Sequence, residues 1–321
     1  MIKINLSNIC GVLAAMFFFG CANNPAPIES HFNKGVEHYD EQDYAAAIEE
    51  YQWALRNKPD NTFAMYNLAV VYQDLGKTES AEKLYQDVLK ITEDTFSRIN
   101  LAGIFYSRGD QDEAYQQLET ATNKNPDSAH PLSILGEFKE REGKLAEAEQ
   151  KYLKALSVDS RHALTHHRLG RLYLKREKYA QGIEHLKQAS ILEEENPVYL
   201  QTLAAEYERT GDYIEAINYF ERASVLQPDQ LETYVKLGDL YKKKTMFQQA
   251  LSRYCSALSL KNDDPYPHRS VLEIYNSVDL LNERSSACSF DFLLQTVIMD
   301  MADGCCQRIR SIKWFWFFLE S

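Results

Sequence analysis

The chain is predicted to be an all-α solenoid of seven to eight helical hairpins, and three observations carry that prediction. A 34-residue period runs through it, with repeats starting near Ile28, Thr62, Thr95, Ala129, Ala163, Pro197 and Leu231 and a degraded eighth near Pro265. Small residues return in register, at position 8 (Gly35, Ala69, Ala102, Gly136, Gly170, Ala204, Gly238) and at position 20 (Ala47, Ala81, Ala114, Ala148, Gly182, Ala216, Ala250). Glycine and proline punctuate the same period: Gly76, Gly109, Gly143 and Gly211 fall at position 15, and Pro59, Pro126 and Pro228 at position 32. A self-similar period of this length builds an open stack in which each repeat contacts its neighbours, which favours holding partners over chemistry.

Each hairpin follows from its residues. Positions 4, 7, 8 and 11 share one stripe of a first helix, and positions 20, 24 and 27 share one stripe of a second. The small residues let the two backbones approach, and large neighbours such as Leu68, Tyr72 and Tyr85 interdigitate between them. Overfilling such a site costs about 1–3 kcal/mol. The glycines at position 15 sit in the turn after the first helix. The prolines at position 32 stop the second helix and reset the chain.

Seven such units in register resemble the tetratricopeptide repeat family over roughly residues 28–278. The resemblance implies a right-handed superhelical solenoid of seven to eight tetratricopeptide repeats, placed here at 31–278. The chain departs from the family at position 4, where a bulky aromatic is usual. Here that position is His31, Met65, Arg98, Leu132, His166 and Leu200, and only Tyr234 conforms. The second repeat has 33 residues, with Glu93 where proline is usual.

In this family the first helices line the concave groove through positions 2, 5, 6, 9, 12 and 13. Carried over, position 6 is Asn33, Asn67 and Asn100, then Ile134, Arg168, Thr202 and Lys236. An amide both donates and accepts, so a column of asparagines can hold an extended peptide backbone whatever its sequence. Phe32, Tyr39, Phe63, Tyr66, Phe96 and Tyr106 stand beside the asparagines. This aromatic-amide half suits an extended or proline-containing segment. Repeats five to seven place Arg168, Arg171, Lys175, Arg209, Lys236, Lys242 and Lys243 on the same face, which suits an acidic segment or an anionic glycan. The lysine-asparagine carboxylate clamp of the chaperone-binding members is absent in that arrangement.

The N-terminus reads as an address. Lys3, the apolar run Ile9–Phe19 and Gly20-Cys21 suit a secretory signal at 1–20 that resembles a bacterial lipobox, with Cys21 the residue to be diacylated. Eleven apolar residues are too few to span a bilayer, which needs about 20. Residues 21–30 form a tether with two prolines. By the same resemblance, Ala22 lacks the aspartate that retains lipoproteins at the inner membrane, which implies the outer membrane, facing the periplasm. A cleaved signal without lipid and an uncleaved anchor are the alternatives.

A net charge of −12 with no basic stripe argues against nucleic acid as partner. Of six cysteines, Cys10 lies in the signal and Cys21 at the anchor; Cys255, Cys288, Cys305 and Cys306 could bridge in an oxidising compartment, with connectivity left open. Glycine-rich phosphate loops, a nucleophile elbow and H-E-x-x-H are missing. His162, His166 and His167 lack a third ligand at metal spacing and read as packing and capping residues. No enzyme, cofactor or metal is therefore expected.

Residues 279–321 change texture. The eighth repeat keeps a first helix at Pro267–Val278 and loses its second; Phe290–Met301 could cap the solenoid, and the aromatic run from Trp314 to Leu319 has no upstream counterpart. Two functions fit: a lipid-anchored envelope scaffold holding peptide segments, similar to the lipoproteins of this family that assist pilus and secretin assembly or gather cell-wall hydrolases, or an accessory lipoprotein of exopolysaccharide synthesis and export.

Overall fold

The computed structural model describes residues 27–261 and 263–284. The signal segment with Cys10 and Cys21, residues 22–26, the expected cap at 290–301, Cys288, Cys305, Cys306 and the aromatic run lie outside them. Among the described residues, fifteen α-helices follow one another as hairpins. They fall into two compact units, which meet in sequence at Ser160 and Arg161. The N-terminal unit holds α1 (Pro27–Asp40), α2 (Tyr44–Asn57), α3 (Thr62–Asp74), α4 (Thr78–Ile91), α5 (Thr95–Arg108), α6 (Gln111–Lys124), α7 (Ala129–Arg141) and α8 (Leu145–Val158). The C-terminal unit holds α9 (Ala163–Lys175), α10 (Tyr179–Leu192), α11 (Pro197–Thr210), α12 (Tyr213–Leu226), α13 (Leu231–Lys243), α14 (Phe247–Leu260) and α15 (Pro265–Arg284).

Every second helix occupies positions 17–30 of its repeat, whether or not proline follows. The turn before it is the same seven times. The position-16 N–H donates to the position-11 carbonyl, as in Lys77 to Tyr72 (2.8 Å) and Met246 to Tyr241 (2.9 Å), and the position-15 N–H donates to position 12. This pairing places position 15 in the left-handed region. Glycine supplies it at Gly76, Gly109, Gly143 and Gly211, whereas Gln42, Glu177 and Thr245 adopt φ values of 63°, 60° and 57° there. The turn therefore forces a left-handed backbone even on a β-branched side chain.

The core repeats too. Tyr51, Tyr85, Tyr152 and Tyr254 at position 24 are each no more than 1% exposed. Three of them press on a glycine: a Cβ at Gly35, Gly136 or Gly238 would stand 2.6, 2.6 or 2.5 Å from the facing ring. Gly170 and Gly182 instead approach each other, so that a Cβ on either would lie 3.0 Å from the other's carbonyl oxygen.

The departures at position 4 are compensated at position 23, across the hairpin. His31 meets Glu50 and stacks on Trp53 with ring centroids 3.7 Å apart. Arg98 donates to Gln117 at 2.9 Å and pairs with Glu93. His166 meets His185, Nδ1 to Nδ1, at 2.9 Å. A polar group buried against the second helix needs such a partner.

Two boundaries differ from expectation. The first helix starts at Pro27, inside the segment read as tether, because proline presets the dihedral of a first helical turn. The eighth repeat's first helix runs from Pro265 to Arg284 rather than from Pro267 to Val278, and Asp279 at its position 15 stays helical.

Candidate functional site

In the N-terminal unit the first-helix face is aromatic, amidic and acidic. At positions 2, 5, 6, 9, 12 and 13 of repeats one to three it carries the carboxylates of Glu29, Asp40 and Asp74 and no lysine or arginine. Phe63 opens α3 and is 67% exposed. Asn33 is exposed, and Phe32 is half-buried against Tyr51, with ring centroids 5.9 Å apart.

The asparagines are not equivalent. Asn67 donates to the Phe63 carbonyl of its own helix at 2.8 Å. Asn100 donates to the hydroxyls of both Tyr66 (3.2 Å) and Tyr85 (3.1 Å). Tyr85 in turn donates to Gln73 Oε1 at 3.1 Å. Asn100 thus spends both amide hydrogens within the protein and keeps its carbonyl as acceptor. Tyr39 donates to Asp74 Oδ2 at 2.8 Å, tying α1 to α3; burial and then this carboxylate push the phenol well above its usual range. Tyr106 stacks on Phe138 at 3.9 Å and donates to its carbonyl at 3.2 Å. Phe96 meets His130 edge-on at 5.7 Å. At repeat four the column of position-6 asparagines gives way to Ile134, which is fully buried.

The C-terminal unit presents seven cations and three carboxylates at the equivalent positions of repeats five to seven. Lys243 and Lys236 both reach Glu208, at 2.9 and 3.4 Å. Burial raises the Glu208 carboxyl, but the two ammonium groups outweigh it and hold it below its ordinary value. Lys242 pairs with Glu273 and Arg209 with Glu206, at 2.8 and 2.7 Å. Arg168 is half-buried and Arg171 exposed. Most of the basicity legible in the sequence is thus met by carboxylates one turn or one repeat away.

This unit also holds His162, His166 and His167. His167 is buried, stacked on Tyr199 at 4.7 Å, and its Nε2 lies 3.1 Å from the Thr202 hydroxyl. Burial, then Arg171 and Arg168, push the imidazole down to about 3. Burial and His166 likewise lower His185. Residue patterns within one repeat missed Gln73, Glu208 and His185 and the bond from Asn100 to Tyr85; the signal that finds them is the pairing across a hairpin or between successive helices. Among the described residues no group of three or more His, Cys, Asp or Glu could hold a metal, and no helix is long and apolar enough to cross a membrane. Cys255 packs beside the apolar cluster of α14 and α15.

A family model described as the tetratricopeptide repeat protein 21 C-terminal ARM domain matches residues 33–203, just over half of the chain, and a tetratricopeptide repeat model matches 198–230. A TPR repeat-containing protein of Methanocaldococcus jannaschii is 32% identical over 137 residues, covering 42% of this chain and 24% of that protein. DnaJ homolog subfamily C member 3 of Gallus gallus is 24% identical over 266 residues, covering 81% and 47%. Among solved structures, the APC/C hetero-tetramer Cut9-Hcn1 matches with a TM-score of 0.53 at 14% identity, over 72% of this chain and 48% of the other, and shows the fold alone. The chain spans less than half the length of each of these relatives. On its repeat register, its hairpin geometry and the family model that covers half of it, the chain belongs to the tetratricopeptide repeat family.

Proposed function

We propose that this protein is a non-catalytic scaffold of the cell envelope, held by lipid on Cys21 at the periplasmic face of the outer membrane. Its N-terminal first-helix face holds a peptide segment of a partner, in the assembly of pili, secretins or another envelope complex. The tetratricopeptide fold supports a protein–protein interaction scaffold. The observation that carries the choice of surface is Phe63, a large aromatic 67% exposed beside Asn33, Asn67 and Asn100, on a face where Glu29, Asp40 and Asp74 meet no cation among the described residues. Exposed aromatics of this kind supply binding energy when a partner covers them.

Capture from solubilised envelopes tests this, with Asn33→Ala and Phe63→Ala combined beside the unaltered chain. These two residues are exposed, so their removal leaves the core intact, unlike Asn100, whose loss would remove a donor from both Tyr66 and Tyr85. A protein recovered with the unaltered chain and lost with the variant supports the surface; equal recovery removes it. Labelled-fatty-acid incorporation that persists in Cys21→Ala would remove the anchor. The exopolysaccharide alternative needs the C-terminal cations to meet a polyanion, and Lys236, Lys242 and Lys243 are already engaged by Glu208 and Glu273.

A further inference from the structure

Building on the N-terminal first-helix face as the binding surface, we propose that its occupant is an extended segment bearing arginine. Two independent properties of the face point to one chemistry. The first is charge: Asp40 and Asp74 end successive first helices, Glu29 lies in the first turn of α1, and none of the three forms an ion pair among the described residues. Asp40 and Asp74 also sit at helix C-termini, where the backbone carbonyls add negative potential.

The second property is hydrogen-bond polarity. Several donors on this face are spent internally, by Tyr39 on Asp74, by Asn67 on the Phe63 carbonyl and by Asn100 on two tyrosine hydroxyls, while exposed Asn33 forms no such bond among the described residues. The carbonyl oxygens of Asn67 and Asn100 and the carboxylates are left to accept. These carboxylate and carbonyl acceptors suit a ligand rich in donors. Arginine carries five N–H donors and no acceptor, and its planar guanidinium also stacks on an exposed ring such as Phe63. Lysine offers the charge with neither the fork nor the stacking plane. The C-terminal unit shows the opposite arrangement, with cations on its face turned onto neighbouring glutamates, so the same fold there leaves no comparable demand for a cation.

Three synthetic peptides of one length test this by fluorescence anisotropy on the full chain: arginines on a proline–glycine background, alanines at the same places, and glutamates at the same places. The arginine peptide is expected to bind about tenfold more tightly than the alanine peptide, the scale of one or two charge-assisted contacts, and to weaken between low and physiological ionic strength. Asp40→Asn with Asp74→Asn should cost about tenfold, because each asparagine keeps an acceptor oxygen but loses the charge. Glu113→Gln with Glu119→Gln, on the exposed side of α6, changes net charge equally and should change nothing. Circular dichroism checks that each variant is folded.

Arginine-peptide binding indifferent to the aspartate variant, or matched by the α6 control, overturns the inference. So does tight binding of the alanine or glutamate peptide that Phe63→Ala abolishes, which would leave the binding surface standing and its polarity wrong. If no peptide responds to Phe63→Ala, the surface itself fails and this inference with it.

Discussion

The two units of this chain share one hairpin and present opposite faces. In repeats one to three of the N-terminal unit the first helices carry aromatics, amides and carboxylates that form no ion pair among the described residues; in the C-terminal unit they carry lysines and arginines largely paired with glutamates. The core beneath is interchangeable: position 24 is Tyr51, Tyr85, Leu118 and Tyr152 in one unit, Leu186, Phe220 and Tyr254 in the other, all buried. A repeat fold separates these concerns, because stripes at positions 8, 20, 24 and 27 hold the hairpin while the far side of the first helix is free to vary. Charge in a sequence and charge available to a partner are then different quantities. The unit richer in cations offers few of them, whereas repeats one to three, poorer in charge, leave Glu29, Asp40 and Asp74 without an ion pair among the described residues.

If the cores are equivalent, core damage should be felt alike on both sides. Tyr152→Ala is expected to cost about 3–5 kcal/mol and Leu186→Ala about 2–5 kcal/mol, read from urea midpoints. A cost under about 1 kcal/mol in one unit only would break the comparison at its base.

Acid should then separate the units. Burial holds the His167 imidazole of the C-terminal unit down to about 3, against the ordinary 6.5, so the unfolded chain binds the extra proton between those limits. Its contribution is complete above 6.5 and is lost as pH falls towards 3, about 2 kcal/mol of it between pH 7 and pH 5. His185 adds in the same direction. His167→Gln should flatten the dependence of the urea midpoint on pH. An unchanged slope would mean that His167 is not held neutral.

Releasing the C-terminal cations would sharpen the contrast in surface. Glu208→Gln removes the counter-ion of Lys236 and Lys243 and should cost about 1 kcal/mol, since both lysines are partly exposed. It should also create salt-sensitive binding of polyglutamate that the unaltered chain lacks. Polyglutamate bound equally well before and after would show that the pairing does not mask the cations.

The smallest expected effect lies in the turns. Thr245→Gly relieves a left-handed backbone on a β-branched residue and should gain up to about 1 kcal/mol, whereas Gly143→Ala in the N-terminal unit should lose about 1 kcal/mol. Thermal melting of both variants reads the sign.

Much of this fold was legible because its determinants are local. The repeat starts at Thr62, Thr95, Ala129, Ala163, Pro197 and Leu231 coincide with helix starts, since caps, glycines and prolines act within a few residues. Three things escaped. The four glycines at position 15 marked four turns, yet Gln42, Glu177 and Thr245 adopt the same conformation, because the hydrogen bonds of the turn dictate it rather than the side chain. The odd residues at position 4 looked like packing faults until Glu50, Gln117 and His185 were found opposite, 19 residues away across the hairpin. The asparagine column promised three equal amides, but Asn100 is engaged by Tyr66 and Tyr85, a consequence of distances between helices that no single-repeat pattern contains.

The claim that the N-terminal face is the working surface is tested most directly by site-specific photo-crosslinking. Phe63 and Val198 both occupy position 2 of their repeats and are 67% and 51% exposed, one in each unit. A benzophenone amino acid at either site reports on its own face in the presence of envelope extract. Adducts from position 63 with none from position 198 are predicted. Adducts from 198 alone, or the same adducts from both, would contradict the account.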